Sequence, residues 1–277
     1  LAVCPESEPA FRVREGRVHL TIQRDPESGR EVVGLKAPLF DEPWQDEVTT
    51  STVATALAVL GATPSLARVL ELAQTAADSA SRLVNGLLAR APAGSVACKA
   101  GCDHCCHVVV GVIAPEAFLI FDHIERVLSS SALSGLRARI AEFYERTRGL
   151  SSAERFSPAY PCVFLEAGCC SIYEVRPLAC RGMNSLSARE CATRLLDPVV
   201  RRLFATAGGG HLYVEPIRAF RAISAGLQLG LAELYGLDMR PLELSSAMHV
   251  LFERTATTVD AWLAGGQPFD AALCTSQ

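Results

Sequence analysis

The fold class predicted from the sequence is mainly α: a helical domain with an N-terminal β-hairpin arm and an irregular, cysteine-rich metal-binding region. Three observations predict it. Apolar residues recur at three- and four-residue spacing over most of the 277 residues, the mark of amphipathic helices. Alternation at period two is confined to the N-terminal end. Nine of the eleven cysteines lie between Cys98 and Cys191, eight of them in two groups of four, within residues rich in glycine and proline. The expected division is an arm and linker over 1–45 and a helical domain over 46–277, with the metal region at 98–192. Hydrophobic residues make up 49% and charged residues 20%, which suits a folded chain with a substantial core.

The arm is read over residues 10–37. Phe11, Val13, Val18, Leu20 and Ile22 alternate with polar residues, Val32, Val33 and Leu35 follow, and Asp25-Pro26-Glu27-Ser28-Gly29 between them is rich in turn formers. The helical period begins near Trp44. One helix is expected over Asp46–Leu60, stopped by Gly61. Thr63-Pro64 reads as the cap and first residue of a long helix to about Ala91, carrying Leu66, Val69, Leu70, Ala73, Ala77, Ala80, Leu83, Val84 and Leu87 at three- and four-residue spacing. The first cysteine group follows. Val108–Ile113 is a short strand or the lead into a helix opened by Pro115-Glu116. That helix and the next, Leu133 to about Arg148, read as an antiparallel hairpin that brings the first cysteine group towards the second. Residues 151–186 are irregular, and Cys191 opens a helix to about Leu196. The tail is helical again over 216–235 and 241–263. Gly208-Gly209-Gly210 is a loop without the strand–helix context of a phosphate-binding turn.

Composition excludes some classes. The formal net charge is -4 and no run of Lys or Arg makes a basic stripe, so nucleic acid is not an expected partner. Arg201-Arg202 reads as solvated helix face. No apolar run reaches the ~18–20 residues that span a bilayer. No export signal is visible, so the chain reads as cytoplasmic, where thiols stay reduced and bind metal rather than pair as disulfides.

Four thiols fall within nine residues: Cys98, Cys102, Cys105 and Cys106. Four more stand at Cys162, Cys170, Cys180 and Cys191. Thiolates are soft ligands for zinc, iron–sulfur clusters and cuprous copper. The spacing Cys98-x3-Cys102-x2-Cys105 suits zinc-type ligand pairs and also iron–sulfur runs. Adjacent side chains diverge, so Cys105 and Cys106 either address two metals or one stands behind the other. Eight cysteines would fill two four-thiolate sites, two cubane (4Fe-4S) clusters, or one shared polynuclear site. Cys169 reads as the spare of its pair, and Cys4 and Cys274 as bystanders. Haem attachment is excluded, because Cys102-x-x-Cys105 is followed by Cys106 and His107 comes one residue late. His104 and His107 are candidate ligands or donors to sulfur, His211 a weaker one, and His123 and His249 ordinary helix residues. Arg176 and Arg181 flank Cys180, where guanidinium charge would offset thiolates or simply pack in the turn. Glu116 reads as a helix N-terminal charge.

Cys-x3-Cys-x2-Cys-Cys, then Pro161-Cys162-x-Phe164-Leu165, then the run from Cys170 through Ile172, Tyr173, Arg176, Pro177 and Leu178 to Cys180-Arg181 resembles the YkgJ-type cysteine-cluster family. Asn184-Ser185-Leu186 and Cys191 also fit its longer members. The resemblance covers roughly 98–192 and departs at the inserted Cys169. It implies metal chelation, described for this family as of zinc or iron. A related cluster accompanies methyl transfer in flagellin lysine methylases, but no glycine-rich strand–helix turn for a methyl donor stands here.

Three functions follow as expectations. The first is a metalloenzyme of redox or group-transfer type, with an iron–sulfur cluster or iron as cofactor and a protein or peptide among its substrates. The second is a structural zinc module acting as adaptor or chaperone. The third is metal storage or delivery.

Overall fold

The structure is a computed structural model that describes residues 20–24, 31–150, 154, 160–196 and 211–274. Phe11, Val13, Val18, the 25–29 turn, most of 151–159, Arg201-Arg202, the three glycines at 208–210 and Cys4 lie outside the described residues.

The protein is mainly α, with eight helices and a short N-terminal hairpin among the described residues. Strands β1 (Leu20–Arg24) and β2 (Glu31–Leu35) pair antiparallel, Leu20 opposite Leu35. Buried Val33 packs with Val53 and Leu229, so the hairpin rests on the helices beside it. Helix α1 spans Pro43–Leu60 with proline in its first turn, where a missing N–H costs nothing. Gly61 ends it at φ 63, a conformation that disfavours any residue with a Cβ.

Helix α2 spans Leu66–Arg90. Its cap is Ser65, whose hydroxyl accepts from Arg68 N, and not Thr63. Ser65 is extended (φ -131, ψ 159), as a cap requires, so Thr63-Pro64 stays in the preceding turn. Helix α3 spans Ala114–Val127 and α4 Ser130–Thr147. Val108–Ile113 does both things expected of it. Gly111–Val112 form strand β3, and Ile113 caps α3. Strands β4 (Leu165–Glu166) and β5 (Cys169–Cys170) make a small ribbon inside the irregular stretch. A 3-10 turn (Tyr173–Val175), helix α5 (Leu178–Gly182) and helix α6 (Ala188–Leu196) follow. Helix α7 (Val214–Tyr235), strand β6 (Leu242–Glu243) and helix α8 (Leu244–Leu263) complete the order.

Helix α7 packs against α1, α2 and α5, and α1·α7 is the most extensive pair. The approach is close because Gly226 has no side chain. A Cβ there would meet Thr49 O at 2.6 Å and Thr52 Cβ at 2.5 Å. Thr49 Oγ1, fully buried, donates across the same seam to Ala222 O at 3.0 Å. Gly226→Ala is therefore expected to destabilise the fold by about 1–3 kcal/mol, as forced overpacking does, read as a lower urea midpoint.

The expected hairpin of α3 on α4 is not what forms. Helix α4 packs against α8 instead, through its narrow buried face of Leu136 and Ile140, with Arg137 bonded to Glu253 at 3.0 Å. A helix with so few apolar positions covers one neighbour, and α8 offers the larger apolar surface. The core gathers where α3 meets α8. Phe118 sits edge-on to Trp262 at 5.3 Å, and the indole N–H donates to Asp238 O at 2.7 Å. Among the described residues no helix is long and apolar enough to cross a membrane.

The cysteine segments are connections in this frame. Residues 91–113 join α2 to α3, and residues 160–187 lead into α6. Strand β3 pairs with β6 and anchors the first connection to the start of α8, with Leu244 N bonded to Val110 O at 3.0 Å.

Candidate metal centre

Tight turns fold the first group. Cys102 N donates to Lys99 O at 3.1 Å around Gly101, which takes φ 81. His104–His107 form a 3-10 turn, with Cys106 N bonded to Asp103 O at 2.8 Å. This turn packs against α6, the helix that carries Cys191. Between them stands Ser185. Its N–H donates to Cys98 Sγ at 3.2 Å, and its carbonyl accepts from Ala97 N at 2.7 Å. Burial pushes the Cys191 thiol up, against a hydrogen bond from the Ser185 side chain. The charges of Cys102 and Cys105 raise both Cys98 and Cys191 further.

The second group hangs on the first by its backbone. Cys162 N donates to Cys106 O at 2.7 Å. The β4–β5 ribbon and Ser171 N bonded to Phe164 O then turn Cys170 back beside Cys162. Cys162, Cys170 and Cys180 all pack against the main hydrophobic core, where Phe164 is fully buried. Burial pushes the Cys162 thiol up to about 12 and the Cys180 thiol well above its ordinary value. The charge of Cys105 raises Cys162, Cys170 and Cys180 as well as Cys98 and Cys191. Cys105 itself is pushed far up, first by its hydrogen bond with the Cys106 thiol, then by burial and by the charge of Cys106.

The structure thus ties the second cysteine segment to the first through the backbone of Cys106 and Cys162. Cys169 is exposed and lies opposite Glu166 on the ribbon, where alternation turns it away from Cys170. Cys169→Ser is expected to leave zinc or iron content per chain unchanged. Cys274, read as a bystander, is disulfide-bonded. Among the described residues no three His, Cys, Asp or Glu side chains already form a set that could hold a metal ion. The donor chemistry nevertheless fits a soft cation. Burial and mutual repulsion disfavour the thiolates, and a bound dication reverses both effects.

The polar surroundings sort into distinct roles. Arg176 lies over the Tyr173 ring at 4.0 Å, and its charge lowers Cys105, Cys170 and Cys180. Its Nε is buried without a hydrogen-bond partner. Arg181 is a brace. It is buried and donates to Arg176 O at 3.0 Å, to Ser81 Oγ at 2.7 Å and to Glu174 O. Glu116 does more than charge a helix end. Its Oε2 accepts from Ile113 N at 3.0 Å, and its Oε1 from Leu178 N at 2.8 Å, two residues before Cys180.

The histidines divide similarly. His107 Nδ1 lies 3.2 Å from Asp103 O. His104 Nδ1 is buried without a hydrogen-bond partner. His211 is buried, its Nδ1 also lacks a hydrogen bond, and its carbonyl accepts from Leu186 N at 2.7 Å and from Ser185 Oγ at 3.2 Å. His249 stacks on Tyr144 at 4.1 Å, as an ordinary helix residue does.

Sequence reasoning missed Ser185 and Glu243. Only the place of Ser185 in Asn184-Ser185-Leu186 pointed to it. Glu243 is a buried carboxylate at the start of α8, accepting from Ser245 N, Ser246 N and Ser246 Oγ at 2.6–3.0 Å, and its charge raises Cys162. Cys162, Glu243 and His107 share a cleft with about 20 Å³ of room, about one water molecule.

Residues 97–195 match the model of the CxxCxxCC family, described as "Putative zinc- or iron-chelating domain". The match spans both cysteine groups and leaves the hairpin, α1, α2, α7 and α8 uncovered. Metal binding is the function class it supports. No curated protein and no solved structure matches the chain.

Proposed function

We propose that this chain chelates iron or zinc through the thiolates of Cys98, Cys102, Cys105, Cys106, Cys162, Cys170, Cys180 and Cys191. The observation that carries the reading is the hydrogen bond from Cys162 N to Cys106 O at 2.7 Å, which ties the second cysteine segment to the first across a separation in sequence that no local packing requires. Bound iron, as an ion or an iron–sulfur cluster, would supply redox or Lewis-acid chemistry, whereas bound zinc would supply folding energy.

The remaining steps belong to the chain. The core around Phe164 backs Cys162, Cys170 and Cys180, which stay half-buried against it. Arg176 offsets the charge that accumulates as thiols lose protons. Ser185 donates to sulfur and joins Cys98 to the Cys191 helix. Glu116 fixes the segment that carries Cys180.

Eight thiols suit a polynuclear iron–sulfur centre as well as two four-thiolate zinc sites, and the iron–sulfur form is the one put forward. Redox or group-transfer activity rests on that form. The test is anaerobic purification followed by metal analysis and an absorption spectrum. Stoichiometric iron with thiolate-to-iron absorbance is the expected result. Colourless protein with about two zinc ions per chain, as filled four-Cys sites require, keeps chelation and discards the iron–sulfur form. Protein from metal-replete cultures that holds neither metal, with all eight thiols open to alkylation, overturns the reading.

A further inference from the structure

Ser185 stands at the middle of a short ladder that joins three segments. On one side its carbonyl accepts from Ala97 N at 2.7 Å and its N–H donates to Cys98 Sγ at 3.2 Å. On the other side it bridges Leu212, with Tyr213 N bonded to Asn184 O at 2.9 Å and Leu186 N to His211 O at 2.7 Å. The family match ends at residue 195, so the 211–213 side of the ladder lies outside it. The buried Ser185 hydroxyl adds a second tie. It lies 3.2 Å from the carbonyls of His211 and Ser187, to which it donates, and it accepts from Ser187 N at 3.1 Å. Ser187 in turn opens α6. Its Oγ accepts from Glu190 N at 3.2 Å, as a helix cap does, and its carbonyl accepts from Cys191 N at 3.2 Å. One residue thus holds the Cys98 sulfur by its N–H and the first turn of the Cys191 helix by its hydroxyl. The charge of Cys191 raises the Cys98 thiol, in keeping with the two lying near each other.

We propose that Ser185 is a positioning residue: its N–H and hydroxyl, backed by residues 211–213, hold Cys98 and the Cys191 helix together in the metal-free chain. The positioning stands on the hydrogen bonds alone. Its consequence for metal uptake rests on the chelation reading above. Groups that are already in place lose less freedom when a ligand binds, so affinity rises with such preorganisation. The two cysteines lie 93 residues apart in sequence, and free of this ladder they would have to be brought together at the moment of binding.

The probe is dibromobimane, a short reagent that alkylates two thiols, applied to the reduced, metal-free full chain. Peptide mass spectrometry reads the yield of the Cys98–Cys191 bridge against that of Cys105–Cys106, which are neighbours in the chain whatever Ser185 does. Ser185→Ala keeps the N–H and removes the hydroxyl, and it is expected to lower this ratio about 10-fold, because the second alkylation is intramolecular and depends on the two sulfurs staying in reach. Ser185→Thr keeps both groups and should hold the ratio near wild type. Ser187→Ala removes only the cap of α6, should lower the ratio in the same direction, and gives the reading if circular dichroism shows Ser185→Ala unfolded. Zinc affinity, measured by competition with a chelator, should fall about 10-fold in Ser185→Ala and recover in Ser185→Thr. A ratio that the alanine variants leave unchanged, or a wild-type chain that forms no Cys98–Cys191 bridge, overturns the positioning role and leaves chelation standing. A wild-type chain that bridges as expected but takes up no zinc and no iron overturns chelation and leaves the positioning role standing.

Discussion

Glu116→Ala is expected to destabilise the protein by about 3–5 kcal/mol and to lower its metal content. The carboxylate is the acceptor for two buried backbone N–H groups, Ile113 N three residues before it and Leu178 N 62 residues after it. Each donor left without an acceptor costs about 1–3 kcal/mol. The second bond matters for function, because Leu178 opens the short helix on which Cys180 stands. Loss of the acceptor frees that helix from α3. Urea unfolding gives the first effect, and zinc or iron per chain gives the second.

The same residue carries a pH dependence. Burial raises the Glu116 carboxyl from 4.5 to about 6, against the bonds from Leu178 and Ile113 and the charge of Arg181, which lower it. The folded pKa lies above the unfolded one, so the folded state holds the proton more tightly. Its contribution to stability is full below pH 4.5 and is lost as pH rises through 6. The loss is about 2 kcal/mol by pH 7, since one pKa unit corresponds to 1.36 kcal/mol. Glu116→Gln should remove this component. The difference in urea midpoint between wild type and Glu116→Gln, measured on metal-free protein, should therefore change across pH 4.5–6.5. A flat difference would show that the carboxyl does not titrate in this window.

The helices were legible in the sequence because each rests on a local pattern. Val69, Ala73, Ala77, Ala80 and Val84 fall on one stripe whatever surrounds them, and all are buried. The cysteine groups were legible because thiols at this spacing serve few other ends. Partnerships were not. Nothing in Leu133–Arg148 says that its narrow apolar face will meet α8 rather than α3. The two oxygens of Glu116 serve one local and one distant donor, and only the local one has a sequence signature, the acidic residue three places into a helix. Ser185 looks like any loop serine, and its value lies in a backbone N–H that points at Cys98. Local chemistry announces a ligand, whereas the group that positions a ligand is chosen by the fold.

The second large effect is expected at Arg176. Arg176→Gln should weaken metal binding by about 10–100-fold, the range found when residues that support metal ligands are removed, with little change in urea stability of the metal-free chain. The guanidinium charge favours the ionised form of Cys105, Cys170 and Cys180, and an uncharged amide of similar size does not. Its Nε makes no hydrogen bond that the fold would miss. Arg176→Lys keeps the charge but loses the planar stacking on Tyr173, so affinity should fall between wild type and glutamine. Arg181→Gln is the contrasting case. That side chain braces two backbone carbonyls and Ser81, so its loss should lower stability in the metal-free protein first. Competition with a zinc chelator and urea unfolding, run on all three variants, separate the two roles. Equal zinc affinity in wild type and Arg176→Gln would mean that the guanidinium packs on Tyr173 without acting on the sulfurs.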